Sequence, residues 1–355
     1  MLQTTCLPRR MFLGSLLLLA LTAPAPLGCA QQPEQVFSES RPLMGTTIIL
    51  TVAAPDEATA KGHLRAAFDR LDTLQHELSA QDPRSELSTV NVEGARRPIP
   101  VEPDLFDCIA AGVKWYDLTN KTFDITCGPL LKVWRDCGKA NRLPTQEELD
   151  AARALGGADQ VLLDPVAHTV KLPKPGVQLD LGGLGKGFSM DRTLQALRQR
   201  GVRNALLAGS GDIYALGHNP EGRPWRVGVQ DPRQPNNPAA LLAVLELSDK
   251  AVSTSGNYQR YVTIQGKHYS HIVDPRTGWT ADNVPSVTVV GPDATTTDIL
   301  DTALSVMGVE EGLMYVAAHE GIEAMFVLFD KNNEPVIRQS KGFVKYIAGW
   351  KDRSK

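Results

Sequence analysis

Apolar residues recur at helical spacing in several segments of the first half of the chain. Residues 56–78 give the clearest case and predict one amphipathic helix. Its apolar positions are Leu64, Phe68, Leu71, Leu74 and Leu78. Further helices are predicted for residues 103–119, for a segment that starts near Thr145 with Glu147 and Glu148 in its first turn, and for residues 188–200 before Gly201.

Short β-rich runs occur throughout the chain and dominate its second half. Strands are predicted for residues 47–52, 122–126, 161–164, 169–172, 205–207, 225–229, 241–247, 251–254, 261–264, 286–290, 324–330 and 335–339. Helices return only at residues 297–307 and 309–319. Strands and helices do not alternate regularly, so the pattern favours an α+β fold over a doubly wound sheet. No segment reads as a linker, which predicts one two-lobed domain over residues 41–345 and a short tail over residues 346–355.

Charge excludes one class of partner. The 355 residues include 37 Lys and Arg against 40 Asp and Glu, for a formal net charge of -3, and the charges are interspersed. A nucleic-acid groove requires a concentrated basic surface, so no nucleic-acid partner is expected.

The first residues are typical of an export signal. Arg9 and Arg10 precede a short apolar run and then small residues, so residues 1–28 are predicted to be a signal, and the paired arginines also fit the twin-arginine export signature. Cys29 follows Leu27-Gly28 and is predicted to be the lipidated first residue of a lipoprotein, with residues 29–40 as a polar tether. This places the protein at the bacterial cell envelope, anchored to the membrane. Soluble export with cleavage nearby is the alternative.

Three cysteines remain, Cys108, Cys127 and Cys137, without the spacing of a zinc site. A single disulfide between two of them is one alternative, but we expect at least one of the three to be a free, buried thiol.

A glycine-rich stretch at residues 178–191 is suited to binding phosphate. Gly182, Gly183, Gly185 and Gly187 let backbone N–H groups approach a ligand before a predicted helix, and Lys186 adds a positive charge. The stretch fits neither the Walker pattern nor the dinucleotide fingerprint. A plain strand-to-helix turn is the alternative interpretation.

A second motif, residues 297–303, is predicted at the start of a helix. Asp298 and Thr302 are four positions apart and Asp301 lies beside them, so their oxygens share one helix face. Two carboxylates and a hydroxyl suit Mg²⁺, which prefers oxygen ligands and binds phosphates. The alternative is that the acids complement the helix dipole.

Two further segments carry weaker signals. His271 precedes the turn Asp274–Gly278 and is a candidate base, although an isolated histidine is more often structural. The small-residue bends at residues 207–212 and 253–256 would admit a planar ligand or form tight sheet corners.

Six motifs together resemble those of the FAD:protein FMN transferases, the ApbE family formerly called thiamine biosynthesis lipoproteins. They are Met44-Gly45-Thr46, Phe123–Thr126 with Gly128-Pro129 and Trp134, Asp180–Gly187, Thr254-Ser255-Gly256, His271–Gly278 and Asp298–Ala303. They span about residues 40 to 340 in the family's order.

The resemblance implies a T-fold-like α+β domain and a Mg²⁺-dependent enzyme. Such an enzyme cleaves FAD, attaches FMN through a phosphoester bond to a Thr or Ser of a target redox protein facing the periplasm, and releases AMP. By similarity, Asp298, Asp301 and Thr302 would hold Mg²⁺ with a backbone carbonyl near Gly183. The positions that match the family's FAD site are Met44, Thr122, Phe123, Asp124, Asp180, Lys186 and Ile272.

Two other functions remain open for the same site. Water in place of the hydroxyl would give a Mg²⁺-dependent FAD pyrophosphatase that releases FMN and AMP, and a protein without turnover would be a flavin-binding lipoprotein. The chain also departs from the family where many members place an aromatic residue that stacks on the flavin, since it has Ser79-Ala80-Gln81 there.

Overall fold

An antiparallel sheet of eight strands forms the centre of the fold. The structure is a computed structural model and describes residues 34–237, 239–257 and 260–350. In spatial order the strands are β1 (Gln35–Leu43), β2 (Thr46–Ala54), β6 (Ala205–Gly209), β7 (Asp212–Leu216), β10 (Lys250–Gly256), β13 (Ser286–Gly291), β14 (Glu323–Phe329) and β15 (Pro335–Gln339). Every neighbouring pair is antiparallel.

Helices cover one face of this sheet. The helices of the described chain are α1 (Glu57–Leu78), α2 (Glu86–Glu93), α3 (Pro103–Leu118), α4 (Gly128–Lys139), α5 (Gln146–Arg153), α6 (Gly185–Gln199) and α7 (Ala294–Ala317). Phe68 of α1 and Leu194 of α6 share a buried cluster with Leu207 and Tyr214 of the sheet. Helix α6 and the start of helix α7 therefore pack against the middle of the sheet.

Smaller sheets complete the fold. They comprise β3 (Ile99–Pro100), β5 (Thr169–Lys171) and β4 (Leu162–Asp164); β16 (Ile347–Trp350), β9 (Leu241–Leu247) and β8 (Trp225–Gln230); and the hairpin of β11 (Tyr261–Ile264) and β12 (Lys267–Ser270). On β10, Ala251 packs in the cluster beneath the helices. The next residue, Val252, packs with Trp225 and Leu245 on the other face of the sheet. Successive strand residues point to opposite faces, so β8, β9 and β16 cover the face away from the helices.

The predicted α+β class is confirmed, and several local predictions hold closely. Thr145 caps α5 in a reciprocal capping box with Glu148. The long helix α7 is interrupted at Gly308, whose φ of 78° and ψ of -176° are not helical. This break separates the two helices predicted for residues 297–307 and 309–319. The helix predicted at residues 188–200 begins three residues earlier, at Gly185.

The strand predicted at residues 122–126 is wrong. This segment is a chain of turns in which Thr122 Oγ1 donates to the carbonyl of Thr119 and Asp124 Oδ1 accepts from the N–H and hydroxyl of Thr126. Such side-chain bonds satisfy the backbone locally and compete with strand pairing. The Gly128-Pro129 pair that follows this segment begins α4, because proline is favoured in the first turn of a helix.

Both predicted ends of the domain also need correction. Residues 35–40 of the predicted tether belong to the edge strand β1, and residues 347–350 of the predicted tail form β16. The signal at residues 1–28, Cys29, the first part of the tether and residues 351–355 lie outside the described residues.

Two further findings concern cysteines and membranes. Cys108, Cys127 and Cys137 are all free, and Cys108 and Cys137 are buried, as expected for structural thiols. Within the described residues, none of the helices combines the length and the apolar character that a membrane crossing requires.

Candidate active site

One cleft of about 720 Å³ collects the predicted site residues. Its lining includes all twelve of those that lie in the described chain: Met44, Thr122, Phe123, Asp124, Asp180, Gly183, Lys186, His271, Ile272, Asp298, Asp301 and Thr302. The first and the last of these residues, Met44 and Thr302, are more than 200 positions apart in the sequence. A cleft of this size is within the usual range for small-molecule and cofactor sites.

Three buried carboxylates form one end of the cleft. Asp212, Asp298 and Asp301 are only 2%, 3% and 2% exposed, and one carboxylate oxygen from each lies within 4.8 Å of the others. Helix α7 starts at Ala294 and is capped by Asp293, so Asp298 and Asp301 lie beyond its first turn. The helix-dipole interpretation of these two acids therefore fails, because that effect is confined to the terminal turn.

Asp212 was not predicted as a site residue. It follows the two-residue turn between β6 and β7, where Ser210 and Gly211 have φ values of 51° and 92°. This turn returns the chain so that Asp212 enters the cleft at the first position of β7. The sequence signal was the bend at residues 207–212, but the bend alone does not reveal which carboxylates it meets.

Two serines on β10 support the acidic cluster. Interaction with the side chain of Ser253 lowers the pKa of Asp212, and interaction with that of Ser255 lowers the pKa of Asp301, in opposition to burial. Ser253 Oγ also lies 2.8 Å from Thr297 Oγ1 on α7. Residues two apart on a strand share a face, so the bend predicted at residues 253–256 is a strand that faces the acids.

Lys186 lies in the first turn of α6, between two of these carboxylates. Its Nζ is 3.1 Å from Oδ2 of Asp212 and 3.5 Å from Oδ1 of Asp298. Burial alone would lower the pKa of Lys186, but the charges of Asp212, Asp298 and Asp301 outweigh it and raise that pKa, so the ammonium is charged.

Burial raises the pKa of two acids in the cluster. The pKa of Asp212 rises to about 7, because burial and the charge of Asp298 outweigh the stabilising charge of Lys186. Burial, with the charges of Asp212 and Asp298, raises the pKa of Asp301 well above its ordinary value. With all three carboxylates ionised, the cluster and the Lys186 ammonium would carry two net negative charges, and a divalent cation that balanced them would favour those ionised forms.

The glycine-rich stretch packs directly on α7. A Cβ atom built on Gly187 would lie 2.2 Å from the carbonyl oxygen of Ala294, so only glycine fits there. A Cβ atom on Gly183 would lie 3.2 Å from Thr302 Oγ1 and 3.0 Å from the ring of Phe123. Gly183 and Thr302 are therefore neighbours, as a shared metal site requires.

The lining of the cleft also includes the turn that joins β1 to β2. Met44 and Gly45 both have positive φ, 53° and 70°, and the N–H of Met44 donates to Oε1 of Gln75. Ser79, Ala80 and Gln81 also line the cleft, so the position where many family members carry an aromatic residue faces the ligand space. Trp134 lines the cleft as well, fixed by a 2.9 Å bond from Nε1 to the carbonyl of Gly278.

His271 directly follows β12 at the rim of the cleft. Its Nδ1 lies 2.9 Å from the carbonyl oxygen of Arg260, which assigns the proton to Nδ1 and leaves the lone pair on Nε2. Desolvation by the cleft walls lowers the pKa of His271, and the charges of Arg260 and Lys186 lower it further. The ring is therefore neutral at physiological pH, as a base must be.

Asp124 has a different environment from the other acids. Its carboxylate accepts bonds from Thr126 and from the N–H of Gly157, 3.1 Å away. Burial raises its pKa although these bonds oppose the shift. Its side chain thus fixes the turn that forms the cleft wall.

A family model and named relatives both match this chain over most of its length. The model of the ApbE family matches residues 44–326. A protein of Klebsiella pneumoniae (strain 342) named FAD:protein FMN transferase is 33% identical over 304 residues, 85% of this chain and 92% of that protein. A protein of Escherichia coli (strain K12) with the same name is 31% identical over 341 residues, 92% of this chain and 95% of its own length.

Solved structures show the same architecture. The ApbE protein of Thermotoga maritima has a TM-score of 0.78 and 30% identity, covering 88% of this chain and 99% of its own. The flavinyl transferase ApbE of Pseudomonas stutzeri, solved in its apo form, has a TM-score of 0.78 and 28% identity, covering 89% and 98%.

Proposed function

This chain belongs to the ApbE family, and from that premise we propose that it transfers FMN from FAD to a Thr or Ser hydroxyl of a target protein and releases AMP. The observation that carries the proposal is the placement of Lys186 between Asp212 and Asp298 in a cleft that also contains His271. A phosphoryl transfer requires a positive group beside the phosphates, a cation site and a proton acceptor, and the cleft brings these together.

The residues present suit Mg²⁺. Asp298, Asp301 and Thr302 provide hard oxygen donors, and Gly183 lies beside Thr302. Asp298 is oriented by the N–H of Gly187, which donates to its Oδ2 over 2.9 Å. When bound, Mg²⁺ supplies charge neutralisation at phosphate oxygens.

The reaction exchanges one bond to phosphorus for another. The acceptor hydroxyl oxygen bonds to the phosphorus of the FMN half of FAD, and the bond from that phosphorus to the bridging oxygen breaks, so the bridging oxygen leaves with AMP. Nε2 of His271 accepts the hydroxyl proton. Lys186 stabilises negative charge on the diphosphate as AMP leaves.

The flavin half of FAD is proposed to occupy the wall of the cleft formed by Met44, Phe123 and Ile272, with Thr122, Asp124 and Asp180 alongside. Gln81 replaces the aromatic residue that many members carry there. Stacking on the flavin from that position is therefore absent, and apolar contact must come from the other lining residues.

Membrane anchoring is a separate part of the proposal. Cys29 would carry the lipid, and the domain would face the periplasm, where a target electron-transfer protein would be modified. Cys29→Ala should release the protein from the membrane fraction without changing its turnover of FAD.

The transferase proposal is tested by denaturing electrophoresis of the acceptor after incubation with FAD and Mg²⁺. Flavin fluorescence that stays with the acceptor band, and is lost with EDTA, is the expected result. Free FMN and AMP with a dark acceptor band would indicate hydrolysis, and intact FAD would indicate flavin binding without turnover.

A further inference from the structure

Asp212 is the member of the acidic cluster that lies nearest to the Lys186 ammonium, with Asp298 slightly further away. Oδ2 of Asp212 is 3.1 Å from Nζ of Lys186, and interaction with the side chain of Ser253 favours the ionised form of Asp212. Neither the family motifs nor the comparisons give Asp212 a role. On the basis of the proposed function, we propose that Asp212 is a positioning residue that fixes the Lys186 ammonium beside the diphosphate and is not a ligand of the metal.

The backbone around Asp212 is constrained. A Cβ atom on Gly211 would lie 2.8 Å from the carbonyl oxygen of Thr254, and the N–H of Thr254 donates to the carbonyl of Gly211 over 3.1 Å. The turn is thus tied to β10, the strand that carries Ser253. The sheet therefore fixes the backbone that presents Asp212 to the lysine.

Lys186 requires such a partner. A lysine has four rotatable methylene bonds and a compact charge, so a single orientation needs a fixed acceptor. Asp212 lies on β7 of the sheet and Lys186 on the first turn of α6, and the contact therefore couples two elements that both line the cleft. Asp298, 3.5 Å away, is oriented separately by Gly187.

The negative charges of the three carboxylates can be assigned separately to Lys186 and to a metal ion. If Asp212 neutralises Lys186, Asp298 and Asp301 retain the two negative charges that match a divalent cation. A direct ligand role for Asp212 would instead leave Lys186 with Asp298 as its nearest carboxylate, and Asp298 would have to serve both cations.

A double-mutant cycle tests the assignment in the full-length protein. Asp212→Asn, which keeps the shape of the side chain, Lys186→Gln and the double variant are compared for kcat with FAD and acceptor, and for Mg²⁺ affinity by calorimetry without FAD. We expect Asp212→Asn to lower kcat on the order of 10²-fold while Mg²⁺ affinity is retained. The double variant should be no slower than Lys186→Gln alone, because both changes remove one function.

Two results would overturn the assignment. A fall in Mg²⁺ affinity on the order of tenfold or more in Asp212→Asn would make Asp212 a ligand or a direct support of one. Multiplying losses in the double variant, or an unchanged kcat in Asp212→Asn, would separate Asp212 from Lys186.

Controls keep the outcome interpretable. Asp231→Asn changes another buried aspartate, paired with Arg233 at 2.8 Å outside the cleft lining, and should leave kcat unchanged. If Asp212→Asn does not fold, Ser253→Ala removes the hydroxyl that interacts with Asp212 and should also lower kcat. Wild-type protein assayed alongside separates the two proposals, because failure of the wild type to modify any acceptor contradicts the function and not the role of Asp212 within the cleft.

Discussion

The backbone N–H of Gly187 donates a 2.9 Å hydrogen bond to Oδ2 of Asp298, 111 residues further along the chain. This bond joins the glycine-rich start of α6 to the acidic face of α7. The two motifs proposed to bind phosphate and a cation therefore form one structural unit.

Gly187→Ala should destabilise the protein and displace Asp298. The added methyl group would lie 2.2 Å from the carbonyl oxygen of Ala294 and 2.9 Å from Cβ of Asp298, so α6 and α7 must separate. We expect a loss of about 1–3 kcal/mol in the free energy of unfolding and weaker Mg²⁺ binding, measured by chemical denaturation and calorimetry. Gly185→Ala is the matched control, because its methyl group would meet only Cβ of Leu181 at 3.7 Å. Equal effects of the two substitutions would contradict the packing argument.

Asp298→Asn should abolish Mg²⁺-dependent turnover while FAD still binds. The substitution removes a buried charge from the proposed metal site but leaves intact the cleft residues that are proposed to contact the flavin. Asp293→Asn changes an aspartate of the same helix that caps its N-terminus and lies outside the cleft lining, so it should retain activity. FAD binding is followed by flavin fluorescence and turnover by AMP release. Unchanged turnover in Asp298→Asn would exclude Asp298 from the metal site.

His271→Gln should lower kcat by about two to four orders of magnitude, the usual contribution of a general base. Desolvation lowers the pKa of His271, so the neutral, active form persists below the ordinary histidine pKa. The wild-type rate should therefore fall only as the pH drops through a value below about 6.5. His268→Gln, on the exposed hairpin strand β12, is the control and should change neither kcat nor its pH profile. A wild-type acid limb above the ordinary histidine value would be inconsistent with this base.

Glu77→Gln should stabilise the protein at pH 8. Burial, followed by the charges of Asp104 and Glu86, raises the pKa of Glu77 to about 7 from 4.5. A carboxyl group whose folded-state pKa is raised contributes stability below its unfolded pKa and loses that contribution as the pH rises through the folded value. Unfolding free energies at pH 4 and pH 8 should therefore differ less in Glu77→Gln than in the wild type, by on the order of 1 kcal/mol after solvent screening.

The control for Glu77 is Glu57→Gln, which neutralises an exposed carboxylate on the same helix. It should change stability little at pH 8. If Glu77→Gln is less stable than the wild type at pH 8, the carboxylate is ionised and stabilised there, and the raised pKa is wrong.

Local patterns in the sequence predicted most of the elements. Strong periodicity located α1, and the strands β9 and β11 match their predicted bounds. Strand β1 was missed because it is an edge strand with largely exposed residues, so no apolar alternation marks it. Helix α4 was missed because Pro129 starts it, and proline marks both beginnings and ends of elements.

The site was predictable where its residues lie within one motif. Asp298, Asp301 and Thr302 share a helix face, and the resemblance to the family brought in the distant residues of the cleft. Asp212 could not be found this way, because its partner Lys186 precedes it by 26 positions on a different element and only the sheet brings them together. Long-range contacts of this kind depend on topology and leave no periodic signal in the sequence.

Transfer of FMN to a protein hydroxyl would be visible in the intact mass of a Thr-containing redox protein. The acceptor is incubated with FAD, Mg²⁺ and the enzyme, and AMP is quantified in the same sample. We expect a mass gain of one FMN per acceptor, one AMP per modified acceptor, and neither product with EDTA or with Asp298→Asn. AMP and free FMN formed from FAD while every acceptor tested keeps its original mass would contradict transfer and identify the protein as an FAD pyrophosphatase.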